Sequence, residues 1–397
     1  MQPVAILIHR IGPYHRARVN AAAARFPAVA VELSSTDTTY AWDAVATPEL
    51  ERITVFQDVD VDTVSGSVLA ERIGQALRML KPRAVAIPGW SAPAALAALQ
   101  WCVNSGTPAV LMSESQSDDF ARSWWKEVLK RRLVSLFSSG LVGGSPHVAY
   151  LTTLGMPGNR VFTGYDVIDN DYFAAGAASA RADAVSLRKR LGLPERFILA
   201  SSRFIEKKNL GRLLDAFARF RTLASGTDWK LVLLGDGPLK PEILATASRL
   251  QLGGDLLLPG FQQYEALPTY YGLASAFIHA STVEQWGLVV NEAMAAGLPV
   301  LVSNRCGCAM DLVREGRNGF RFDPLDTEGL AGLMARVAAD EGERLQMGET
   351  SRRIIAEWPT ARFAAGLEAA VACAAPVRRA GLADAALTRL LMERAGF

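Results

Sequence analysis

Glu284-Gln285-Trp286-Gly287-Leu288-Val289-Val290-Asn291-Glu292-Ala293-Met294-Ala295-Ala296-Gly297-Leu298-Pro299-Val300 lies between two short apolar runs, 276–278 and 300–302. Neither run alternates polar with apolar residues, which suits a parallel strand covered on both faces. The apolar helical stretch between them stops at Gly297, a C-cap candidate. Strand, loop, helix and strand in this order make the βαβ unit of a parallel sheet.

The same grammar extends outward. Apolar runs of strand length occur at 4–8, 84–87, 109–112, 197–200, 231–234 and 256–258, and helical patterns at 210–223 and 238–250 lie among them. Such alternation predicts an α/β protein with doubly wound sheets, whose ligand sites lie at the strand C-terminal ends. A chain of 397 residues exceeds one ordinary core, so two domains are expected. Residues 173–180 are small and featureless and read as a linker. The expected division is an N-terminal Rossmann-like domain over 1–175, a C-terminal one over 176–360, and terminal helices over 361–397 that pack back toward the first. Two α/β domains facing a central cleft would bind ligand between them.

Composition narrows the class. Half the residues are hydrophobic and 21% are charged, a globular balance. Lys plus Arg is 42 against 40 for Asp plus Glu, so no global field favours nucleic acid. The first ten residues lack a basic n-region, and their apolar run is too short for a signal peptide, which predicts a cytoplasmic protein. Residues 84–103 carry no charge and are long enough to span a bilayer, but Pro88, Gly89 and Pro93 interrupt them. Strand, turn and core helix fit better, with Ser91 as N-cap. Cys102, Cys306, Cys308 and Cys373 have no zinc spacing and read as buried or incidental thiols of a reducing compartment.

The chemistry gathers at strand ends. Glu284 lies in the loop after one strand, Gly287 permits close backbone approach, and the helix that follows presents free N–H groups and a positive dipole end suited to phosphate. Carboxylates repel phosphate, so Glu284 and Glu292 would face sugar hydroxyls instead. They could equally be ordinary helix-entry acids. Ser201-Ser202-Arg203-Phe204-Ile205-Glu206-Lys207-Lys208-Asn209-Leu210 is a second such loop, with Asn209 as N-cap. Arg203 and Lys208 bring two cations to the sheet edge, enough with a helix dipole to neutralise a diphosphate leaving group. Gly235-Asp236-Gly237-Pro238 is a third loop; its glycines allow tight backbone passage and Pro238 suits a first helical turn. It lacks the third glycine of a dinucleotide fingerprint.

Taken in order, Arg203 with Lys208, Gly235-Asp236-Gly237-Pro238, Glu284 with Glu292, and Asn318-Gly319 give residues 195–325 a pattern that resembles the retaining glycosyltransferases of family 4. The resemblance implies the GT-B fold. It implies that Arg203 and Lys208 hold the diphosphate of a sugar nucleotide, that Glu284 contacts the donor sugar, and that Glu292 grips the ribose hydroxyls. Backbone amides at Gly287, Leu288 and Val289 would meet the phosphates, and Phe261 and Gln262 would lie by the base. The implied reaction retains anomeric configuration and needs no cofactor or metal; the departing phosphate oxygen takes the acceptor proton. Asp169-Asn170-Asp171-Tyr172-Phe173 is an altered form of the family's interdomain segment.

The N-terminal domain should supply the acceptor pocket, for a saccharide or lipid-linked saccharide of envelope polysaccharide assembly. Gly12 would let the loop after the first strand approach the diphosphate, and His15, Arg16 or Glu114 would orient the acceptor hydroxyl. The stretch 122–133 is basic, with adjacent Trp124 and Trp125 and with Lys126, Lys130, Arg131 and Arg132. It could lie on an anionic membrane, or be a solvated face with its tryptophans in the core. Asp58, Asp60 and Asp62 imitate a metal-binding Asp-x-Asp but read better as an acidic surface loop. A nucleotide-sugar epimerase and a non-catalytic nucleotide-sugar-binding protein are the alternatives.

Overall fold

The structure, a computed structural model, describes residues 1–36, 50–119, 122–224, 228–375 and 382–393. It divides into two compact units, Met1–Val167 with Thr360–Phe397, and Ile168–Pro359.

The described residues of the first unit form a parallel sheet of β1 (Val4–Ile8), β2 (Ala28–Ser34), β3 (Arg52–Phe56), β4 (Ala84–Pro88), β5 (Ala109–Ser113), β6 (Ser139–Val142) and β7 (Val161–Thr163). Their order is β3-β2-β1-β4-β5-β6-β7. Val4, Ala5, Ile6 and Leu7 of β1 are buried, as a central strand covered on both faces must be. The second unit contains β8 (Arg196–Ser201), β9 (Trp229–Leu234), β10 (Leu256–Gly260), β11 (Ala276–His279), β12 (Val300–Ser303) and β13 (Gly319–Phe322). This sheet, also parallel, has the order β10-β9-β8-β11-β12-β13. Strand order reverses between β8 and β11, and a crevice opens at such a switch point. The loops that carry Arg203, Lys208 and Glu284 leave from these two strands.

Three local expectations are corrected. The supposed linker is helix Asn170–Ala182, with Phe173, Ala177 and Ala180 buried. Its small residues serve close packing on helix Leu267–Leu273. A Cβ added at Gly176 would come within 2.5 Å of Pro268, and one at Gly272 within 2.7 Å of the Ala177 carbonyl. A division at residue 175 would cut this helix, whereas the contacts divide the chain at Val167/Ile168. Helix Pro93–Ser105 takes Ala92, not Ser91, as N-cap, because Pro93 at the first helical position fixes the entry. Helix Lys240–Arg249 begins after Pro238, with Pro241 in its first turn.

The uncharged stretch resolves into β4 and helix Pro93–Ser105, and among the described residues no helix is long and apolar enough to cross a membrane. Asp58 accepts a hydrogen bond from the Ser35 hydroxyl at 3.1 Å. Asp60 caps the short turn Val61–Thr63 through the Asp62 N–H at 3.0 Å. Both acids therefore serve local turns. Cys102, Cys306 and Cys308 are buried free thiols, and Cys373 is half-buried.

Candidate active site

The site is laced from three loops of the second unit. After β8 the chain runs through Arg203 and a short 3-10 turn, Glu206–Lys208, to Asn209, whose φ of 58° is a left-handed conformation that Asn tolerates. Asn209 precedes helix Leu210–Leu223, but its side chain does not cap that helix. Its amide instead donates to the Ala280 carbonyl at 3.1 Å and the Pro324 carbonyl at 2.8 Å, tying the β8 loop to the β11 loop. The Thr282 N–H adds a bond to the Lys207 carbonyl at 2.8 Å. From the other side, the Gly307 N–H donates to the Glu284 carbonyl at 3.0 Å and the Cys308 N–H to that of Trp286 at 3.2 Å.

These ties bring Lys208 onto Glu284. The Lys208 ammonium donates to Glu284 Oε2, and the side chains are only 14% and 13% exposed. Two residues that the sequence reading passed over complete the cluster. His279, the last residue of β11, places Nε2 2.8 Å from Glu284 Oε2, and the Ser281 hydroxyl donates to the same oxygen at 3.2 Å. A polar residue ending an apolar strand was the available signal for His279. Burial works to raise the Glu284 carboxyl pKa, but the hydrogen bond from His279 and the charge of Lys208 outweigh it and hold it well below its ordinary value. Burial lowers the His279 pKa against the opposing pull of Glu284, so the imidazole is neutral near pH 7. An ionised carboxylate only accepts, which assigns the proton to Nε2.

Gly287 precedes helix Leu288–Ala295 with φ 101°, a conformation glycine adopts without strain, and an added Cβ there would only touch Glu284 at 3.4 Å and His279 at 3.6 Å, so the backbone conformation and not crowding calls for glycine. The helix thus begins beside the carboxylate, with the first-turn N–H groups of Leu288 and Val289 unbonded within the helix by construction. Trp286 is fixed by its indole N–H to Asn291 at 3.0 Å and by ring contact with Trp358 at 5.2 Å. Glu292, in the second turn, is fully buried. It lies by the Tyr271 hydroxyl, whose pKa rises through burial first and the Glu292 charge second.

Gly235 has φ 130°, and a Cβ there would fall 1.8 Å from the Ser202 carbonyl oxygen. Its loop adds to the β8 loop through Ser202 N–H to Leu234 and Phe204 N–H to Asp236. Glycine at 235 is therefore demanded by packing beneath Arg203. Arg203 itself is exposed. Phe261 is 39% exposed at the end of β10, and Gln262 bonds back to the Pro259 carbonyl at 3.0 Å. Of the donor-side residues read from the sequence, Lys208 and Glu284 meet directly with Gly287 beside Glu284, and Arg203, Gly235 and Phe261 follow neighbouring strands of the same sheet edge.

The acceptor-side candidates belong to the first unit. Gly12 precedes helix Pro13–Ala23 in extended conformation, and a Cβ there would meet only His15 Nδ1 at 3.7 Å, so packing within the unit does not require glycine. His15 Nδ1 accepts the Gly12 N–H at 3.3 Å, a helix-capping role, while Arg16 is exposed. His9, His15, Arg18, Tyr165 and Phe363 help to line a cavity of about 130 Å³ at the ends of β1, β4 and β5. Glu114, half-buried after β5, is an electrostatic neighbour of the fully buried Asp166. Burial first and the Glu114 charge second raise the Asp166 pKa well above its ordinary value, against the Arg18 guanidinium 3.7 Å away.

Residues 186–354 match the family model of glycosyl transferases group 1. The chain is 28% identical over 203 residues to the N-acetyl-alpha-D-glucosaminyl L-malate synthase of Bacillus anthracis, covering 51% of this chain and 50% of that protein. It is 29% identical over 204 residues to the GDP-mannose-dependent alpha-(1-6)-phosphatidylinositol monomannoside mannosyltransferase of Mycobacterium tuberculosis, covering 49% and 50%. The chain thus spans about half the length of these curated relatives. Among solved structures, the sucrose-phosphate synthase of Thermosynechococcus elongatus aligns over 93% of this chain and 98% of its own with a TM-score of 0.73 at 18% identity, a likeness of fold. The fold is GT-B.

Proposed function

From the premise that residues 186–354 are a group 1 glycosyl transferase domain, we propose that the chain is a retaining, metal-independent glycosyltransferase. It moves a sugar from a nucleotide diphosphate sugar to a hydroxyl of a saccharide or lipid-linked saccharide. The observation that carries this reading is the Lys208–Glu284 contact beside the start of helix Leu288–Ala295. A cation, a carboxylate and first-turn amides within one small volume suit a phosphate and a sugar hydroxyl together. Arg203 and Lys208 with the helix start supply the charge that a metal would otherwise bring to the leaving diphosphate. Glu292 serves the ribose, and Phe261 and Gln262 the base. His15, Arg16 and Glu114 serve the acceptor, and Gly12 admits the loop that approaches the diphosphate.

Thermal melts against a panel of nucleoside diphosphates and their sugars identify the donor. A ligand at a hundredfold excess over its Kd adds about 2.7 kcal/mol of stability, a rise of several degrees. Product analysis with that donor, with and without saccharide acceptors and with EDTA throughout, tests the reaction. Expected is a glycoside only when acceptor is present. Conversion of donor alone would instead identify an epimerase, binding without turnover a non-catalytic protein, and loss of transfer in EDTA would overturn metal independence.

The relative from Mycobacterium tuberculosis is named for a phosphatidylinositol monomannoside, and one face of the first unit suits a membrane-borne acceptor. Helix Trp124–Val134 leaves Trp124 80%, Val128 57% and Trp125 49% exposed. Arg131 and Arg132 continue that face, and Lys126 lies over the Trp125 ring. The tryptophans are therefore outside the core. Lys130 is instead turned to Glu127 at 2.8 Å and the Tyr150 hydroxyl at 3.1 Å, and is not part of the face. Aromatic anchors beside cations fit an anionic interface, at the cytoplasmic side of a membrane. The chain is expected to pellet with phosphatidylglycerol vesicles and not with phosphatidylcholine vesicles. Trp124→Ala with Arg131→Ala should abolish pelleting, and a wild-type chain that stays in the supernatant defeats the idea.

A further inference from the structure

We propose that His279 is a positioning residue that holds the Glu284 carboxylate in place when Lys208 leaves it for the donor diphosphate. The inference rests on the transfer reaction proposed above and adds a residue to it. Three donors meet at one oxygen, Glu284 Oε2: Lys208, His279 and Ser281. They differ in what they can do next. Lys208 ends a flexible four-carbon stem on a loop, and a diphosphate competes for it. His279 cannot follow. It is 3% exposed, sits at the end of β11 in register with β12, and stacks on Phe277 at 6.4 Å with ring planes 13° apart. Ser281, fully buried, lies 3.2 Å from both His279 Nε2 and Glu284 Oε2. Once a diphosphate takes Lys208, the carboxylate would lose its cation and rotate unless the rigid pair retains it. A carboxylate that contacts a sugar only in one rotamer needs such a fixed partner.

His279→Leu keeps apolar volume and removes the N–H; His279→Gln can restore an N–H near Nε2. The expected result for His279→Leu is a kcat about tenfold lower, with donor KM changed less than threefold. His279→Gln should recover most of the loss, which a purely structural role would not show. Ring ¹⁵N NMR gives a second readout that needs no turnover. A slowly exchanging Nε2–H signal, absent in both His279 variants, should move in Glu284→Gln. An unchanged kcat in His279→Leu, a loss confined to donor KM, or no rescue by glutamine overturns the role of His279. A ring signal indifferent to Glu284→Gln overturns the contact itself, even where a His279 variant fails to fold. A wild-type chain that transfers no sugar while that signal behaves as expected overturns the function reading and, with it, any role of the contact in transfer.

Discussion

Lys208→Ala should reduce sugar transfer by about 10²–10³-fold, the loss typical of removing one preorganised donor to a developing negative charge. In the proposed reaction the diphosphate would gather charge as its bond to the sugar breaks, and a cation aimed at it would act most in that state. The same substitution strips Glu284 of its ion-pair partner. Both side chains are largely shielded from water, so the carboxylate left behind is undercompensated, and breaking such a pair costs about 3–5 kcal/mol. His279 and Ser281 remain on Oε2 and should keep the loss near the lower end. Two measurements separate the effects. Thermal melts of the ligand-free variant report the pair, and kcat at saturating donor reports the transition state. Lys208→Arg should restore melting more fully than turnover, because a guanidinium fork satisfies a carboxylate but does not occupy the ammonium's position. Arg203→Ala, at an exposed position with no comparable burial, should leave the melt unchanged. Transfer by Lys208→Ala within threefold of wild type would remove the cation from the mechanism.

Much of this was legible in the chain because it is local. Unalternating apolar runs declare buried parallel strands, and β8, β9, β11 and β12 lie over the runs read for them. The loops at their C-terminal ends follow from topology alone. What escaped the reading depends on contacts between distant segments. The 173–180 stretch looks like a linker in sequence, since alanine and glycine carry little signal. Its meaning appears only against Pro268 and Gly272. Asn209 reads as a cap because caps are local; its true bonds reach Ala280 and Pro324. His15 shows the reverse, a residue considered for chemistry that also performs a local capping task. His279 was missed because its partner is brought to it by the turn at 280–284 and not by helical spacing. The burial of Glu292 likewise depends on what packs over the helix.

The two glutamates should part company on substitution. Glu284→Gln is expected to lower kcat by about 10²-fold with donor KM nearly unchanged, because the neutral amide cannot hold developing positive charge on the sugar as a carboxylate does. Glu292→Gln should raise donor KM by about tenfold and spare kcat, as loss of a ground-state contact to ribose hydroxyls would. Their environments already differ. Glu284 carries a strong ionic and hydrogen-bonded shell, while Glu292 lies buried by the Tyr271 hydroxyl. The sign of the pH dependence follows from the first. A depressed folded-state pKa contributes stability that is fully present above the unfolded value, about 4.3 for glutamate, and is lost progressively as pH falls from there through the lower folded value. Glu284 is thus ionised across the neutral range, and any acid limb in kcat above about pH 5 must come from another group. Glu284→Gln should flatten the stability loss expected of wild type below about pH 4, and leave the kcat limb where it was. Equal losses of donor affinity in both variants, with kcat intact, would show that Glu284 binds the donor as Glu292 does and has no separate part in the chemical step.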